Sequence, residues 1–303
     1  MQYVIETKRL CKTYGGRTVV HNLDLHVPQG CVYGFIGPNG AGKSTSMKML
    51  LGLVHPTAGS VALLGRTLTE RTRLELLRQT GSLIESPSGY LHLTAQENLE
   101  IVADLKGVPY KDIDRVLEIV HLQADRKRKV GQYSLGMKQR LGIAMALLGH
   151  PALLVLDEPI NGLDADGMRI MREVLVDITK SYQCTVVISS HILGELEKIA
   201  THYGIVRGGK MIKEMTAAEL DAGCRTYVAL QTRDWNRAKA LLACKYSRVE
   251  EDESGYIRVY DANAPEDIVT YLYENGILVN EIKTAKIGLE EYYIDLMNEK
   301  EAR

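Results

Sequence analysis

The sequence lacks any run of about 20 apolar residues, the length that an α-helix needs to cross a membrane. Its longest apolar stretch, residues 144–156, is interrupted by His150 and Pro151. Residues 1–8 contain no basic segment followed by an apolar one, the pattern that is typical of a signal peptide. We therefore expect a cytoplasmic chain that does not itself cross a bilayer.

Paired cysteines and an excess of charge of one sign are also lacking. The five cysteines are scattered at positions 11, 31, 184, 224 and 244 without a C-x-x-C pair, so we expect reduced thiols rather than a disulfide framework. Lysine and arginine total 37 against 38 acidic residues. This balance gives no reason to expect an anionic membrane surface as a partner, and we predict no nucleic-acid binding.

The most informative segment that is present is a glycine-rich loop at residues 37–44, which fits the pattern G-x-x-x-x-G-K-[ST]. It follows a short apolar run, residues 31–36, that predicts a buried strand, and it precedes a helix-prone segment, residues 44–51. Such a loop wraps phosphate groups with backbone N–H groups at a helix N-terminus. ATP or GTP is the expected ligand, and a glycine-rich turn without a ligand is the weaker alternative. The predicted nucleotide-binding residues are Gly37, Pro38, Asn39, Gly40, Ala41, Gly42, Lys43, Ser44 and Thr45.

Four side chains in or near this loop have predicted chemical roles. We expect Lys43 to reach the β- and γ-phosphates and the Ser44 hydroxyl to hold Mg²⁺. A strand at residues 152–156 ends in Asp157 and Glu158. Because ligands of doubly wound sheets bind at the carboxyl ends of the strands, Asp157 is predicted to bind Mg²⁺ and Glu158 to act as general base. An exposed acidic pair that opens a turn is the alternative.

A third apolar strand is predicted at residues 184–189, and His191 follows it. Taken singly, a histidine at a helix start is more often a surface or capping residue. Its place after a third parallel strand favours a position within reach of a γ-phosphate, and we predict a catalytic role for His191.

The order of these motifs resembles that of the ATP-binding subunits of ABC transporters, over residues 3–215. Residues 37–44 correspond to the Walker A motif and residues 153–158 to the Walker B motif with its catalytic glutamate. Residues 133–141 resemble the family signature, in which Ser134, Gly136, Gln139, Arg140 and Leu141 match while Tyr133, Leu135 and Met137 depart. The resemblance also implies a D-loop at residues 161–164, ending in Asp164, a switch histidine at His191, and an adenine contact by Tyr14.

The resemblance implies that two subunits pair head to tail and that each nucleotide also meets the signature of the opposite subunit. Ser134, Leu135, Gly136 and Met137 are then predicted to contact the nucleotide in trans. The substitution Leu135 adds bulk where the family has glycine. We expect a working composite site, with a weakened or structural site as the alternative.

Glu85 stands where the family usually has a glutamine that contacts Mg²⁺ or water. A carboxylate keeps an oxygen ligand but loses the amide donor, so Glu85 is predicted as a third metal ligand besides Ser44 and Asp157. With Glu85 and this signature sequence, the chain resembles the subgroup that is associated with bacitracin resistance and lantibiotic self-protection.

Between Glu85 and the Walker B strand, residues 90–150 are predicted to be mainly helical. Residues 94–106 begin with a capping box formed by Thr94 and Glu97, residues 112–121 form a second helix, and Ser134 opens a third. The region resembles the family's helical subdomain, which docks onto the membrane partner. The basic run at residues 126–129 is interpreted as a solvated turn rather than a membrane or nucleic-acid patch.

The 303 residues are enough for two domains, and we place the boundary between residues 215 and 216. From residue 226 the pattern predicts the order βαββαβ of a ferredoxin-like domain, followed by a helix at residues 288–298. The predicted strands are residues 226–231, 246–250, 256–260 and 277–283, the predicted helices are residues 234–243 and 264–273, and a turn is predicted at residues 252–255. This second domain contains no phosphate loop, metal-ligand cluster or nucleophile. The resemblance suggests dimer support or regulation for it, and an appended domain without its own ligand is equally compatible.

The predicted fold class is therefore α/β: a RecA-like P-loop ATPase core, residues 1–215, with a helical subdomain, followed by a small α+β domain, residues 216–303. We predict an ATP- and Mg²⁺-dependent ATPase subunit of an ABC exporter for peptide antibiotics of the bacitracin or lantibiotic type. A cassette for other drugs or ions is the alternative, and a soluble non-transport ABC ATPase is less favoured. The expected partners are an integral membrane permease, which holds the subunit at the inner face of the plasma membrane, and a second copy or a related ATP-binding subunit.

Overall fold

The computed structural model describes residues 2–85, 87, 89–223, 226–252, 255–260, 262 and 264–298. The chain divides into two compact units, Met1–Ala217 and Ala218–Arg303. Cys224, one of the predicted reduced thiols, lies outside the described residues, and the other four cysteines are free thiols. Among the helices of the described residues, none is long and apolar enough to span a membrane.

The first unit alternates strands and helices. Its strands are β1 (Tyr3–Tyr14), β2 (Arg17–Pro28), β3 (Val32–Ile36), β4 (Ala58–Leu63), β5 (Arg66–Thr67), β6 (Thr80–Leu83), β7 (Leu153–Asp157), β8 (Thr185–Ser190), β9 (His202–Arg207) and β10 (Lys210–Thr216). Its helices are α1 (Lys43–Leu50), α2 (Arg73–Arg78), α3 (Ala95–Lys106), α4 (Lys111–Ile119), α5 (Leu135–Leu147), α6 (Ala165–Tyr182) and α7 (Leu193–Glu197), and α8 (Ala217–Gly223) begins at the division between the units.

The central sheet of the first unit has the strand order β10-β9-β3-β8-β7-β6 and is parallel except for β10. Every residue of β3, β7 and β8 is buried, which explains why these strands are mostly apolar, with the polar residues Asp157, Thr185, Ser189 and Ser190 at the ends of β7 and β8. Ile36 is paired with Ser190, and Asp157 with Ser189. The register therefore brings the residues that follow β3, β7 and β8 to one edge of the sheet.

A second, antiparallel sheet has the order β2-β1-β4-β5. The hairpin between β1 and β2 turns at Gly15 and Gly16, both with positive φ, and pairs Tyr14 with Arg17. The apolar side chains of this sheet, such as Leu10 and Leu25, share one buried core with β3 and α1. This packing holds the hairpin in a fixed position relative to the strand that precedes the phosphate loop.

The region between β6 and β7 contains the predicted helices. Thr94 forms the predicted capping box at the start of α3, with Thr94 Oγ1 accepting from Glu97 N and Thr94 N donating to the Glu97 carboxylate. Helix α4 is shorter than predicted. The basic run at residues 126–129 lies in turns, and two of its arginines form ion pairs, Arg126 with Asp114 and Arg128 with Asp125.

The second unit contains the strands and helices β11 (Thr226–Thr232), α9 (Trp235–Lys245), β12 (Val249–Glu251), β13 (Ile257–Val259), α10 (Pro265–Glu274), β14 (Val279–Lys286) and α11 (Leu289–Asn298). The sheet order is β12-β13-β11-β14 with antiparallel pairs throughout, the arrangement of a ferredoxin-like fold. Of the predicted turn at residues 252–255, residues 253 and 254 lie outside the described residues.

Two predicted strand starts in the second unit were too early by more than one residue. Residues 246–248 were assigned to a strand, but Tyr246 N donates to Leu242 O at 2.8 Å and so completes the last turn of α9. Likewise Ile277 N donates to Leu272 O at 2.9 Å, at the end of α10. Helix ends use such backbone bonds to satisfy their last carbonyl groups, and the strands begin only afterwards.

Candidate active site

The phosphate loop joins β3 to α1 and depends on glycine at several positions. Gly40 and Gly42 have φ of 78° and 95°, in the left-handed region that glycine adopts readily. A Cβ atom at Gly42 would lie 2.7 Å from Val19 O, and one at Gly37 would lie 2.5 Å from Val206 O. The loop can therefore follow this path only with glycine at these two positions, and it ends at the N-terminus of α1.

Lys43, the first residue of α1, lies inside the loop with only 6% of its surface exposed. Its Nζ donates to Gly37 O at 2.7 Å and to Pro38 O at 3.3 Å, and Glu158 Oε1 lies 3.8 Å from it. Burial lowers the pKa of Lys43, and the nearby carboxylates of Glu158 and Asp157 oppose this shift. The ammonium group is thus positioned within the loop, where a bound phosphate chain would meet it.

The two acidic residues after β7 differ in environment. Asp157 is buried, and Ser189 Oγ on the neighbouring strand β8 donates to its Oδ1 at 2.6 Å. Glu158 is partly exposed, and its backbone has a φ of 52°, in the left-handed region. One carboxylate is therefore fixed in the sheet, while the other turns out at the sheet edge.

His191 follows β8 and contacts Glu158 directly, with Nδ1 of the imidazole 2.6 Å from Glu158 Oε2. This distance is in hydrogen-bond range, so an N–H group of the imidazole can donate to the Glu158 carboxylate, which is the predicted base. The geometry thus joins two predicted catalytic residues, Glu158 and His191, which are 33 positions apart in the sequence.

Lys43, Glu158 and His191 line one cleft of about 430 Å³. The cleft residues are Arg17, Val19, Asn39, Gly40, Ala41, Gly42, Lys43, Ser44, Thr45, Glu158, Asn161 and His191. Arg17 and Val19 were not predicted as site residues, and Asn161 was predicted only as the first residue of the D-loop. Arg17 could have been predicted as a site residue, because it pairs across the hairpin with Tyr14, which was predicted to contact adenine.

Of the residues predicted to bind the nucleotide or the metal, Tyr14, Gly37, Pro38, Glu85 and Asp157 are not among these lining residues. Tyr14 is the last residue of β1, and its ring is exposed. Lys12 Nζ lies 4.8 Å from the ring centroid. Glu85 is 67% exposed, and its Oε1 accepts a hydrogen bond from Lys48 Nζ at 2.5 Å. This hydrogen bond raises the pKa of Lys48. In this conformation the Glu85 carboxylate is therefore bound by a lysine of α1.

The signature residues lie at the start of α5 and are not among the residues that line the cleft of their own chain. Ser134 caps the helix, with Oγ accepting from Met137 N at 3.2 Å. The exposed side chain of Leu135 packs on the predicted D-loop, since a Cβ atom at Gly162 would lie 3.1 Å from its Cδ2. Asp164 ends that loop and caps α6 by accepting from Gly167 N at 2.9 Å. Signature and D-loop thus pack together in one chain.

The cleft contains a phosphate loop at a helix N-terminus, a buried lysine and a glutamate–histidine pair, and the fixed carboxylate of Asp157 directly precedes Glu158 in the chain. Such a set can bind a nucleoside triphosphate and direct water at its terminal phosphate. The fold and the site therefore define a P-loop ATPase.

Comparison with known proteins identifies the family. A family model described as "ABC transporter" matches residues 20–161. The chain is 43% identical to the bacitracin transport ATP-binding protein BcrA of Bacillus licheniformis, over 98% of both chains. It is 46% identical to the lantibiotic transport ATP-binding protein SrtF of Streptococcus pyogenes, over 70% of this chain and 90% of that protein. This chain belongs to the ATP-binding subunits of ABC transporters and is an ATPase.

Solved structures agree with this assignment. The structure of an ATP-binding subunit of an ABC transporter is 28% identical, with a TM-score of 0.65 over 72% of this chain and 92% of that chain. The structure of CbiO1 from Clostridium perfringens, described as part of an ABC transporter complex, has a TM-score of 0.68 over 74% of this chain and 92% of that chain. At 22% identity it supports the fold alone.

Proposed function

We propose that this chain hydrolyses ATP to power the export of peptide antibiotics of the bacitracin or lantibiotic type. The observation that carries the proposal is the 43% identity to a bacitracin transport protein over 98% of both chains, which includes the second unit. Cargo is bound by a separate permease in this design. We propose that the permease holds the subunit at the inner face of the plasma membrane and docks on the helical region, residues 90–150. The proposed domain boundary remains between residues 215 and 216.

We propose that Glu158 acts as the general base on the attacking water and that His191 orients its carboxylate and contacts the γ-phosphate. The water oxygen forms a bond to the γ-phosphorus, the bond to the β–γ bridging oxygen breaks, and ADP and phosphate leave. Lys43 stabilises the phosphate charge, because its ammonium already lies among the loop carbonyls. The loop residues, including Gly37 and Pro38, bind the phosphates, and Tyr14 stacks on adenine.

The Ser44 hydroxyl and the Asp157 carboxylate supply oxygen atoms, the type of ligand that Mg²⁺ prefers. In the described part of the chain, no three or more histidine, cysteine or acidic residues form a metal cluster. This is compatible with Mg²⁺, which binds through one or two protein oxygens together with phosphates and water. We propose the Ser44 hydroxyl and Oδ2 of Asp157 as its ligands, with Glu85 reaching it through water after release from Lys48. The bound ion supplies positive charge that stabilises the β- and γ-phosphates.

We further propose that two subunits, identical or related, pair so that Ser134, Leu135, Gly136 and Met137 of each contact the nucleotide of the other. None of these four residues lines the cleft of its own chain, and Leu135 is exposed. Asp164 would hold the D-loop at the same interface. The rate of ATP hydrolysis should then rise faster than linearly with the protein concentration, because only the paired subunits are active.

The test uses Lys43→Ala and Glu158→Gln with Glu173→Gln, an exposed glutamate of α6, as the matched control. We expect Lys43→Ala to lose ATP binding and Glu158→Gln to bind ATP with turnover reduced at least about a hundredfold. In cells that express the chain with its permease, both variants should lose bacitracin resistance while Glu173→Gln keeps it. Normal turnover in Glu158→Gln would exclude it as the base, and unchanged resistance in Lys43→Ala would exclude the proposed transport role.

A further inference from the structure

A buried serine connects the two acidic residues of the site. Ser189 is the fifth residue of β8 and has no exposed surface. Its Oγ donates to Asp157 Oδ1 at 2.6 Å and accepts from Glu158 N at 2.9 Å. The pairing of Ser189 with Asp157 in the parallel register of β7 and β8 places the hydroxyl between these two groups.

The direction of the two hydrogen bonds follows from elementary chemistry. A backbone N–H only donates, so the serine oxygen must accept from Glu158 N. The single hydroxyl proton then points toward Asp157, whose Oδ1 accepts the hydrogen bond. The bond orients the Asp157 carboxylate, with Oδ1 toward Ser189 and Oδ2 outside this contact. The same hydroxyl thus fixes one side chain and one backbone group.

The backbone bond acts where the chain is strained. Glu158 has a φ of 52°, which is uncommon for a residue with a β-carbon. This turn directs the carboxylate to within 3.8 Å of Lys43 Nζ and 2.6 Å of His191 Nδ1. Asn161 N donates to Glu158 O at 3.1 Å, so the peptide groups on both sides of the Glu158 Cα are hydrogen-bonded. Loss of the serine bond would leave a buried donor unsatisfied beside this turn.

We propose that Ser189 is a positioning residue for ATP hydrolysis, which sets Asp157 toward the metal and Glu158 toward the attacking water. The inference rests on the proposed roles of Asp157 and Glu158 and adds a third residue that acts through them. Ser189 itself touches neither nucleotide nor metal in this scheme. Its removal should therefore change turnover and Mg²⁺ dependence rather than nucleotide binding.

The experiment compares Ser189→Ala with Thr185→Val in the full-length chain. Thr185 is the matched control because it is also fully buried on β8 and its Oγ1 also accepts from a backbone group, Gly30 N, at 2.9 Å. Both variants lose one buried hydroxyl, but Thr185 lies at the opposite end of the strand. The measurements are kcat and KM for ATP, the Mg²⁺ concentration that gives half-maximal turnover, and the dissociation constant of ATP without Mg²⁺.

We expect Ser189→Ala to lower kcat about tenfold or more and to raise the half-maximal Mg²⁺ concentration severalfold, because a hydrogen bond to a charged group is lost. The dissociation constant without Mg²⁺ should change less than about twofold. Thr185→Val should keep the wild-type kcat even where its melting temperature falls. Equal losses of kcat in the two variants, or an unchanged kcat in Ser189→Ala, would overturn the inference. Glu158→Gln tests the base separately, and normal turnover in that variant would exclude Glu158 as the base whatever the result for Ser189→Ala.

Discussion

Replacing Asp112 by alanine should destabilise the first unit, because this carboxylate joins three segments. Asp112 lies in the first turn of α4 with 7% of its surface exposed. It accepts hydrogen bonds from the Arg115 guanidinium and from Gly149 N, the latter at 2.9 Å, and His150 Nε2 lies 3.2 Å away. Arg115 also donates to Leu147 O, at the end of α5. The cluster thus connects α4, the end of the signature helix and the approach to β7.

The magnitude follows from the groups that would lose their partner. Removal of one partner from a buried ion pair costs about 3–5 kcal/mol, and a charged hydrogen bond contributes about 1.5–3 kcal/mol. Arg115 keeps some contact with solvent and its bond to Leu147 O, which favours the lower end. We expect Asp112→Ala to lower the free energy of unfolding by about 2–4 kcal/mol.

The pH dependence has a definite sign. Burial alone would raise the pKa of Asp112, but the hydrogen bonds from Arg115 and Gly149 and the charge of Arg115 outweigh it, so the pKa is lowered. A carboxylate with a lowered pKa in the folded state stabilises that state above its unfolded pKa of about 3.9. The contribution is lost as the pH falls through the folded pKa. The difference between wild type and Asp112→Ala should therefore be full at pH 7 and shrink below about pH 4.

The assay is urea unfolding followed by circular dichroism, with Asp114→Ala as the control. Asp114 lies on the same helix, but it is exposed and pairs with Arg126 at the surface, where ion pairs contribute about 0–1 kcal/mol. The single tryptophan, Trp235, lies in α9, so its fluorescence follows the second unit separately. A loss for Asp112→Ala no larger than that for Asp114→Ala would refute the reasoning.

Three further predictions concern the site and its support. Tyr14→Ala should weaken ATP binding about five- to tenfold, because a stacking contact is lost, and an unchanged affinity for fluorescent ATP would exclude the adenine contact. Tyr33→Phe should lower the unfolding free energy by about 1.5–3 kcal/mol, since the buried Tyr33 hydroxyl donates to Glu214 Oε1 at 2.6 Å. A melting temperature equal to that of wild type would contradict this. Glu85→Ala, which removes both side-chain oxygens, should raise the half-maximal Mg²⁺ concentration for turnover severalfold and change stability by less than about 1 kcal/mol, because its pair with Lys48 is exposed. An unaltered Mg²⁺ titration would remove Glu85 as a metal ligand.

Much of the fold could be predicted because its strands and turns have strong local signals. The buried parallel strands are mostly apolar runs, and the glycine pattern of the phosphate loop restricts the backbone that it can form. The strand order of the second unit follows from the order βαββαβ, which has few compact arrangements. The predicted edges failed at residues 246–248 and 277 because helix-terminating hydrogen bonds extend into segments that are apolar enough for a strand.

The contacts of the site could not be predicted, because they depend on the register between distant strands. Ser189 was assigned to a strand, but its bond to Asp157 requires the pairing of β7 with β8. Likewise, the bond between Lys48 and Glu85 joins residues 37 positions apart. Sequence motifs indicate which residue types meet a ligand, whereas the partner of each side chain is decided by packing.

The two glutamates of the sheet edge illustrate this limit. Glu85 follows β6 and Glu158 follows β7, two neighbouring strands, and both glutamates have positive φ, 66° and 52°. A left-handed residue turns the chain sharply where a strand ends, and here it leaves a carboxylate at the edge.

Helix α1 supplies a lysine toward each of these carboxylates. Lys43 Nζ lies 3.8 Å from Glu158 Oε1, and Lys48 Nζ lies 2.5 Å from Glu85 Oε1. The helix that begins at the phosphate loop is thereby connected to both strand ends. A nucleotide that recruits Lys43 to its phosphates would weaken the first connection, and Glu85 would leave the second when it reaches the bound metal through water. The sign of φ at Glu85 and Glu158 has no marker in the sequence, since glutamate, unlike glycine, does not indicate a left-handed turn.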